Sequence, residues 1–403
     1  MKKKILIVGG TGVISFAVVN ESIRQGFDVT CINRGKSKNQ ILSCDVNVII
    51  ADYRNSQIIK EKLGDNVYDV IVDVLCYTEK DIEYSVELFK DHCKQYIFFS
   101  SCAVYNKGKG DYECTEDSEL VNPIWQYSID KVACERKLIE LASKYNLTYT
   151  IVRPAVTYGD TRIPYGITPP YGFHGTIIMR ILNHKPIIIW DGGNAYSTIT
   201  RVEDFAVGLV GLFGNPKAYN QSFHIVGDER YKWKDVIKKL GDILGEEPVF
   251  FDMSKEDYAS EIPNRAGELL GGRGINQLLD NSKLKEAVPH FKTTITLSDG
   301  LKKTVEYYKT HNYIKGVDYK FDADTDRIIA KWAKKKGIAT EKMNLRFVNY
   351  LGNASKRDKL TYWLEFHKEN FFMKRVLKMS RFIFRLFSIT NQKLINTIFV
   401  KKM

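Results

Sequence analysis

Three side chains in the first third of the chain have the types and spacing to move a proton together. Ser101 lies in the segment YIFFSSCAVY, and Tyr127 and Lys131 lie in WQYSIDKVACERKL. Tyr127 and Lys131 are four residues apart, which places them on one face of a helix, one turn apart. A free tyrosine has a pKa of about 10, too high for a general base at neutral pH. A neighbouring ammonium favours the phenolate and is expected to lower that value. A serine hydroxyl can share the substrate oxygen and fix its position. The three together predict a proton-transfer set beside a hydride acceptor. A lone Tyr-x-x-x-Lys pair says little, since most such pairs are surface residues on a helix, so order and context carry the weight.

The hydride acceptor is predicted from the start of the chain. Ile5, Leu6, Ile7 and Val8 run into Gly9-Gly10-Thr11-Gly12, and a helical pattern follows. A strand that turns sharply into a helix offers free N–H donors and the positive end of the helix dipole to a pyrophosphate. Glycines are needed where a side chain would block the turn or the phosphate. Ser15 stands where a dinucleotide loop usually has its last glycine. That position governs helix–strand packing, so a small serine is expected to cost little there. The second strand ends Cys31-Ile32-Asn33-Arg34-Gly35-Lys36. No carboxylate is present to take a ribose 2′-hydroxyl, whereas Arg34 with Lys36 suits a 2′-phosphate, so NADP is expected in preference to NAD.

These residues need a scaffold. Apolar runs at 4–8, 28–32, 47–50, 69–75, 96–100 and 148–152 alternate with amphipathic stretches such as 55–63, 79–91 and 128–144. This alternation predicts an α/β fold, a Rossmann-like doubly wound parallel sheet, over residues 1–160. From 161 to 308 the texture is mixed and is expected to form a smaller substrate-binding region interleaved with the sheet. It begins with GDTRIPYGITPPYGFHG, a loop or lid. Residues 309–403 are rich in Lys and Arg and predict a basic helical C-terminal extension.

With these motifs in place, the chain resembles an extended short-chain dehydrogenase/reductase, of the NAD(P)-dependent sugar-nucleotide epimerase/dehydratase family. The matching residues are Gly9-Gly10-Thr11-Gly12, Asp52 in ADYR, Ser101 in SSCAVY, Tyr127 and Lys131 in YSIDK, and RPAVTYG. Weaker landmarks are TRVEDFA (200–206) and DNSKLKEAVPHF (280–291), and the resemblance covers about residues 3–308. It implies that Asp52 meets the adenine, that Val74, Leu75 and Cys76 line the cofactor cleft, and that Lys131 also holds the nicotinamide ribose. Val13, Ile14, Asn33, Tyr53, Ser100, Pro154 and Val156 are expected to complete the dinucleotide site. Tyr127 would take a proton from a sugar hydroxyl as hydride passes to the nicotinamide. Ser101, Cys102, Tyr127 and one of Arg201 or Arg273 are expected at a nucleotide-sugar substrate. The family's 4,6-dehydratases place an acidic pair after the catalytic hydroxyl residue. Here Cys102 and Ala103 follow Ser101, which disfavours that activity. Many epimerases have an arginine near Ser197 and a histidine near Arg201, and this chain has neither. The expected activity is epimerase or ketoreductase.

Composition bounds the alternatives. Seven cysteines, an odd number without a Cys-x-x-Cys pair, argue against a disulfide framework and a thiolate zinc site. No metal is expected, because the histidines and acids lack ligand spacing. Gly9, Gly10 and Gly12 interrupt the first apolar run, so a signal peptide is not expected and the cytoplasm is the default location. The net charge of +12 leaves open a non-catalytic nucleotide- or RNA-binding protein on the same fold. No RNA motif with stacking aromatics is present, and nucleic acid is not expected as a partner. A homodimer is. Lys374, Lys378, Arg381 and Arg385 share a helical face among Val376, Leu377, Met379 and Phe382. That helix is read as packing on the domain with a solvated stripe; the second reading is contact with anionic lipid at the inner membrane face.

Overall fold

The computed structural model describes residues 2–35, 42–105, 113–311, 316–341 and 343–370. The dinucleotide-type half comprises β1 (Lys4–Val8), α1 (Val13–Arg24), β2 (Asp28–Asn33), β3 (Asn47–Ile50), α2 (Ser56–Leu63), β4 (Val70–Asp73), α3 (Glu79–Phe89), β5 (Tyr96–Phe99), α4 (Gln126–Tyr145) and β6 (Tyr149–Pro154). The middle of the chain forms β7 (Val156–Tyr158), α5 (Gly175–Leu182), β8 (Ile187–Trp190), β9 (Tyr196–Arg201), α6 (Val202–Val210), β10 (Gln221–Ile225), β11 (Arg230–Lys232), α7 (Trp233–Leu244) and β12 (Phe250–Met253). There follow α8 (Lys255–Glu261), the short α9 (Ala266–Glu268), α10 (Ser282–Ala287), α11 (Leu297–Thr310), α12 (Tyr319–Lys336) and α13 (Lys356–Phe366).

The apolar runs become strands because helices cover both of their faces. The main sheet has the order β10–β6–β5–β4–β1–β2–β3, and every pairing is parallel. α1, α6 and α10 pack on one face through residues such as Val18, Phe205 and Leu284. α2, α3 and α4 pack on the other through Ile59, Ile82 and Leu138. Strand order reverses between β1 and β4, the point at which an open parallel sheet leaves a crevice at its carboxyl edge. The predicted doubly wound sheet is therefore present. Interleaving is also observed, since β10 and α6, from the middle of the chain, complete the sheet and its helical cover.

A second core sits beside the sheet. β7 and β9, with β11, make a three-stranded sheet, and β8 pairs with β12. The described residues from 316 to 370 form the expected helical extension, and it packs into this second core. Tyr319, Ile328, Ile329, Trp332, Tyr350 and Tyr362 share one apolar core with Ile177, Trp190 and Trp233 of the middle region. The basic stretch from Lys374 to Arg385 lies outside the described residues.

Four fully buried charges join the two parts. Arg180 reaches Asp322 at 2.5 Å and Asp326 at 2.9 Å, while Lys185 reaches Asp322 at 2.8 Å and Asp326 at 2.5 Å. The Tyr350 hydroxyl donates to Asp322 and the Tyr362 hydroxyl to Asp326. Lys185 Nζ also donates to the Arg346 carbonyl, at 2.9 Å. Burying two cations and two carboxylates is tolerable because the charges cancel, although Asp326 Oδ1 has the Arg180 ion pair and no hydrogen bond among the described residues. Removing one member strands a charge, at a cost of about 3–5 kcal/mol. Lys185→Met is thus expected to lower the unfolding free energy by about 3–5 kcal/mol in a denaturant titration. A loss below about 1 kcal/mol would show that the quartet does not hold the extension.

Candidate active site

The glycine loop lies where β1 enters α1. Gly9 adopts φ +88°, a left-handed conformation that glycine adopts without strain. A Cβ on Gly10 would lie 2.6 Å from the Cys31 sulfur, so this glycine serves the packing of loop on strand. Ser15 is buried, and its role differs from the passive packing expected. Its hydroxyl donates to the Gly9 carbonyl at 2.5 Å and accepts from the Gly12 N–H at 3.0 Å. The serine therefore stitches the loop closed across the first turn of α1. Because the first turn of a helix has no intrahelical acceptors for its N–H groups, the turn at Val13 and Ile14 offers donors to the cleft that both residues line.

The cleft has a volume of about 900 Å³ and runs from this loop across the carboxyl ends of β4 and β5. Ser100, Ser101, Tyr127, Lys131, Val74 and Pro154 all line it. α4 carries Tyr127 and Lys131 from its first two turns, as the spacing predicted. Ser101 caps the 3-10 turn Cys102–Val104, with its hydroxyl accepting from the Ala103 N–H at 3.1 Å. Asn122 donates to the carbonyls of Ala103 and Gly271 and so ties the serine turn to the far wall.

The electrostatics differ from the simple expectation. Lys131 is buried, and its Nζ donates to the Cys76 and Phe99 carbonyls at 2.6 Å each. Burial pushes its ammonium below the usual lysine range. Nζ lies 5.8 Å from the Tyr127 ring centroid. Burial pushes the Tyr127 phenol up to about 12, opposed by a hydrogen bond with Ser101. The expected lowering by the ammonium is not realised, because desolvation of the phenolate outweighs the attraction of nearby cations.

Basic side chains also line the cleft. Arg162, Arg265 and Arg273 line it with a single carboxylate, Glu268. Glu268 pairs with Arg265 at 2.8 Å and stands 3.6 Å from Arg273 Nε, which has no hydrogen-bond partner among the described residues. One cleft is thus lined by the helix turn with its N–H donors, by the Ser–Tyr–Lys set and by a surplus of guanidinium.

The profile of the NAD dependent epimerase/dehydratase family matches residues 5–225. The chain belongs to that family. It is 26% identical, over 64% of its length and 69% of the relative's, to the chloroplast stem-loop binding protein of 41 kDa b from Arabidopsis thaliana. It is 23% identical, over 77% of its length and 98% of the relative's, to a UDP-N-acetyl-alpha-D-glucosaminuronate decarboxylase of Bacillus cytotoxicus. Among solved structures, UDP-glucuronic acid 4-epimerase of Bacillus cereus, in complex with UDP-glucuronic acid and NAD, superposes with a TM-score of 0.61. That pair is 20% identical and matches 76% of this chain and 99% of the other, so about a quarter of this chain has no counterpart there.

Within this family member, the remaining predicted residues fall into two groups. Cys102 and Arg273 line the cleft, and Leu75 packs against Gly9 beneath it. Asn33 ends β2 with its Nδ2 buried and without a hydrogen-bond partner among the described residues, and Arg34 follows it, exposed. Lys36 lies outside the described residues. The Ser100 hydroxyl, beside the cleft, is likewise buried and has no partner among the described residues. Orphaned donors at Asn33 and Ser100, with the open helix turn between them, fit a polar dinucleotide laid along the sheet edge. The side chains of Tyr53, Cys76 and Val156 are instead core, with the Tyr53 hydroxyl and the Cys76 thiol both on Asp73. Asp52 is exposed and caps its own turn by accepting from the Arg54 N–H.

Arg201 is placed away from the cleft. Its guanidinium is engaged by Asp160, Glu203 and the Gly300 carbonyl, and of the two arginines only Arg273 lines the cleft. Sequence reasoning missed Trp125, Tyr77, Arg162, Tyr171, Arg265 and Glu268. The Gly- and Pro-rich lid segment was the only signal for any of them, and it marked Arg162 and Tyr171 without assigning them.

Burial of Tyr127 can be measured directly. The difference in phenolate absorbance between the unmodified chain and Tyr127→Phe should titrate near 12, where a free phenol titrates at about 10. A midpoint at or below about 10 would show that Lys131 overrides desolvation in the free protein.

Proposed function

We propose that this protein is an NAD(P)-dependent epimerase or ketoreductase acting on a nucleotide-activated sugar by tyrosine-assisted hydride transfer. The observation that carries the reading is that Ser101, Tyr127 and Lys131 line one cleft together with the glycine loop and three arginines. When bound, the nicotinamide supplies a hydride acceptor and donor. Tyr127, protonated as its raised phenol dictates, would give its proton to the carbonyl oxygen in the reduction direction; in the oxidation direction it would accept the sugar hydroxyl's proton only as the phenolate, the form that the Lys131 ammonium and a bound oxidised nicotinamide would favour. Ser101 Oγ holds the reacting oxygen. Lys131, with two of its three ammonium hydrogens on main-chain carbonyls, has one left for the cleft. The surplus of Arg162, Arg265 and Arg273 over Glu268 suits a diphosphate.

NADP is the preferred dinucleotide in this reading, because Asn33 and Arg34 stand where a 2′-hydroxyl-binding carboxylate would be. A homodimer belongs to the same reading, and contact of the stretch from Lys374 with anionic lipid remains the second reading of that stretch. A second reading, a non-catalytic nucleotide- or RNA-binding protein, is favoured by one observation, the similarity to a relative named as a stem-loop binding protein. Salt-dependent binding of RNA by the dinucleotide-free chain, without turnover of any nucleotide sugar, would support that second reading instead.

Small molecules retained through purification, identified by mass spectrometry, define the panel of nucleotide sugars to assay. A net change in nicotinamide absorbance indicates a reductase, and inversion without one an epimerase. Tyr127→Phe should lower turnover by about 10²–10⁴-fold, the usual contribution of a positioned general acid–base. Turnover unchanged in that variant would sink the mechanism. Arg34→Ala should weaken NADP binding by roughly tenfold while leaving NAD nearly unaffected, as read by fluorescence titration. Equal loss for both dinucleotides would remove the NADP preference.

A further inference from the structure

The segment between β7 and α5 carries Arg162 and Tyr171 to the cleft, and it is held from outside the family-matched part of the chain. Its two ends are tied to each other, since the Ile163 N–H donates to His174 Nδ1 at 3.1 Å. His174 is fully buried, burial pushes its imidazole down to about 3, and the ring stacks parallel to Tyr171. Arg162 in turn lies 5.0 Å from the centroid of the Tyr171 ring. Guanidinium, phenol and imidazole thus form one stack whose base is His174.

The base rests on the C-terminal extension. The Thr176 hydroxyl accepts from the Asp318 N–H at 2.8 Å and donates to the Phe173 carbonyl at 2.7 Å, linking the N-cap of α12 to the end of the segment. Next to it, a Cβ on Gly175 would lie 2.6 Å from the Gly316 carbonyl oxygen, so the two backbones are in direct contact. At the other end of the segment, the Tyr308 hydroxyl of α11 donates to the Thr161 carbonyl at 3.0 Å. Both ends are therefore fastened to helices that follow residue 296, and the buried quartet of Arg180, Lys185, Asp322 and Asp326 fixes α12 against α5 one to two turns further on.

We infer that the extension is a brace for the substrate-side wall: Gly316 and Asp318, acting through Gly175 and Thr176, hold residues 161–174 so that Arg162 and Tyr171 face the cleft. Thr176 and Asp318 are positioning residues. They touch neither the Ser–Tyr–Lys set nor the glycine loop, so the brace tunes the substrate end of the cleft and leaves the dinucleotide end unchanged. This ligand assignment rests on the nucleotide-sugar reading above, whereas the mechanical coupling does not.

Hydrogen–deuterium exchange and ligand titration on the full chain test it. Thr176→Val keeps the shape and removes the hydroxyl, leaving the Asp318 N–H without its acceptor. Exchange of peptides spanning 161–174 should rise by about tenfold, the loss expected for one buried hydrogen bond, with peptides spanning the loop at 9–15 unchanged. The dissociation constant of UDP should rise by about tenfold, and that of NADPH should stay within about twofold. Thr176→Ser, which restores the hydroxyl, should restore both readouts. Unchanged exchange at 161–174 in Thr176→Val, or equal loosening of 9–15, would overturn the brace. In the unmodified chain, protection of 161–174 should be lost at the same denaturant concentration as that of 316–326. Separate loss would also overturn it, whether or not the valine variant folds. If the unmodified chain binds neither UDP nor NADPH, the functional reading fails, and the exchange measurements still decide the brace.

Discussion

A buried ammonium with no carboxylate in contact sets the geometry of this cleft. Lys131 Nζ is gripped by the carbonyls of Cys76 and Phe99, which end the turn after β4 and the strand β5. Those two carbonyls sit at the carboxyl edge of the sheet next to the point where strand order reverses. Moving either strand end would leave a cation buried without acceptors, a far larger penalty than the loss of an ordinary hydrogen bond. Helix α4 is therefore held in rotation and height, and Tyr127, one turn before Lys131, is carried into the cleft with it.

The turn that supplies the Cys76 carbonyl is itself built around a charge. Asp73 is fully buried and accepts from the Leu75 N–H, the Tyr53, Ser85 and Tyr96 hydroxyls and the Cys76 thiol. Five donors converge on one carboxylate, so the chain path from Val74 to Cys76 is specified from below by a saturated network. Val74 lines the cleft, while Tyr53 and Cys76 spend their polar groups underneath it. The same division separates Arg273, which faces the cleft, from Arg201, whose charge is already neutralised by Asp160 and Glu203.

Polar burial recurs in the other half. The quartet around Asp322 and Asp326 adds little net energy compared with an apolar core of the same volume, but it penalises any displacement of α12 heavily. Paired charges with capping tyrosines specify one docking of the extension among many that apolar contacts alone would tolerate. A helix fixed in this way is a suitable support for a segment rich in Gly and Pro that makes few regular backbone bonds of its own.

The sequence by itself determined the periodic features and the local chemistry. Alternating apolar runs identified the parallel sheet, because strands buried on both faces must be apolar throughout. The four-residue spacing of Tyr127 and Lys131 placed them together, since helical geometry alone sets that distance. The glycine loop was legible for the same reason, being a property of a few adjacent residues. Only the tertiary structure decided what depends on distant partners. It turned Arg201 away and Arg273 inward, brought Trp125, Arg265 and Glu268 to the wall, and made Ser15 a stitch between Gly9 and Gly12. It also raised the Tyr127 phenol where the lysine alone would have lowered it, and joined the extension to the substrate half through charges more than 130 residues apart. Desolvation and long-range pairing depend on what folds over a residue, and a linear pattern holds no record of that.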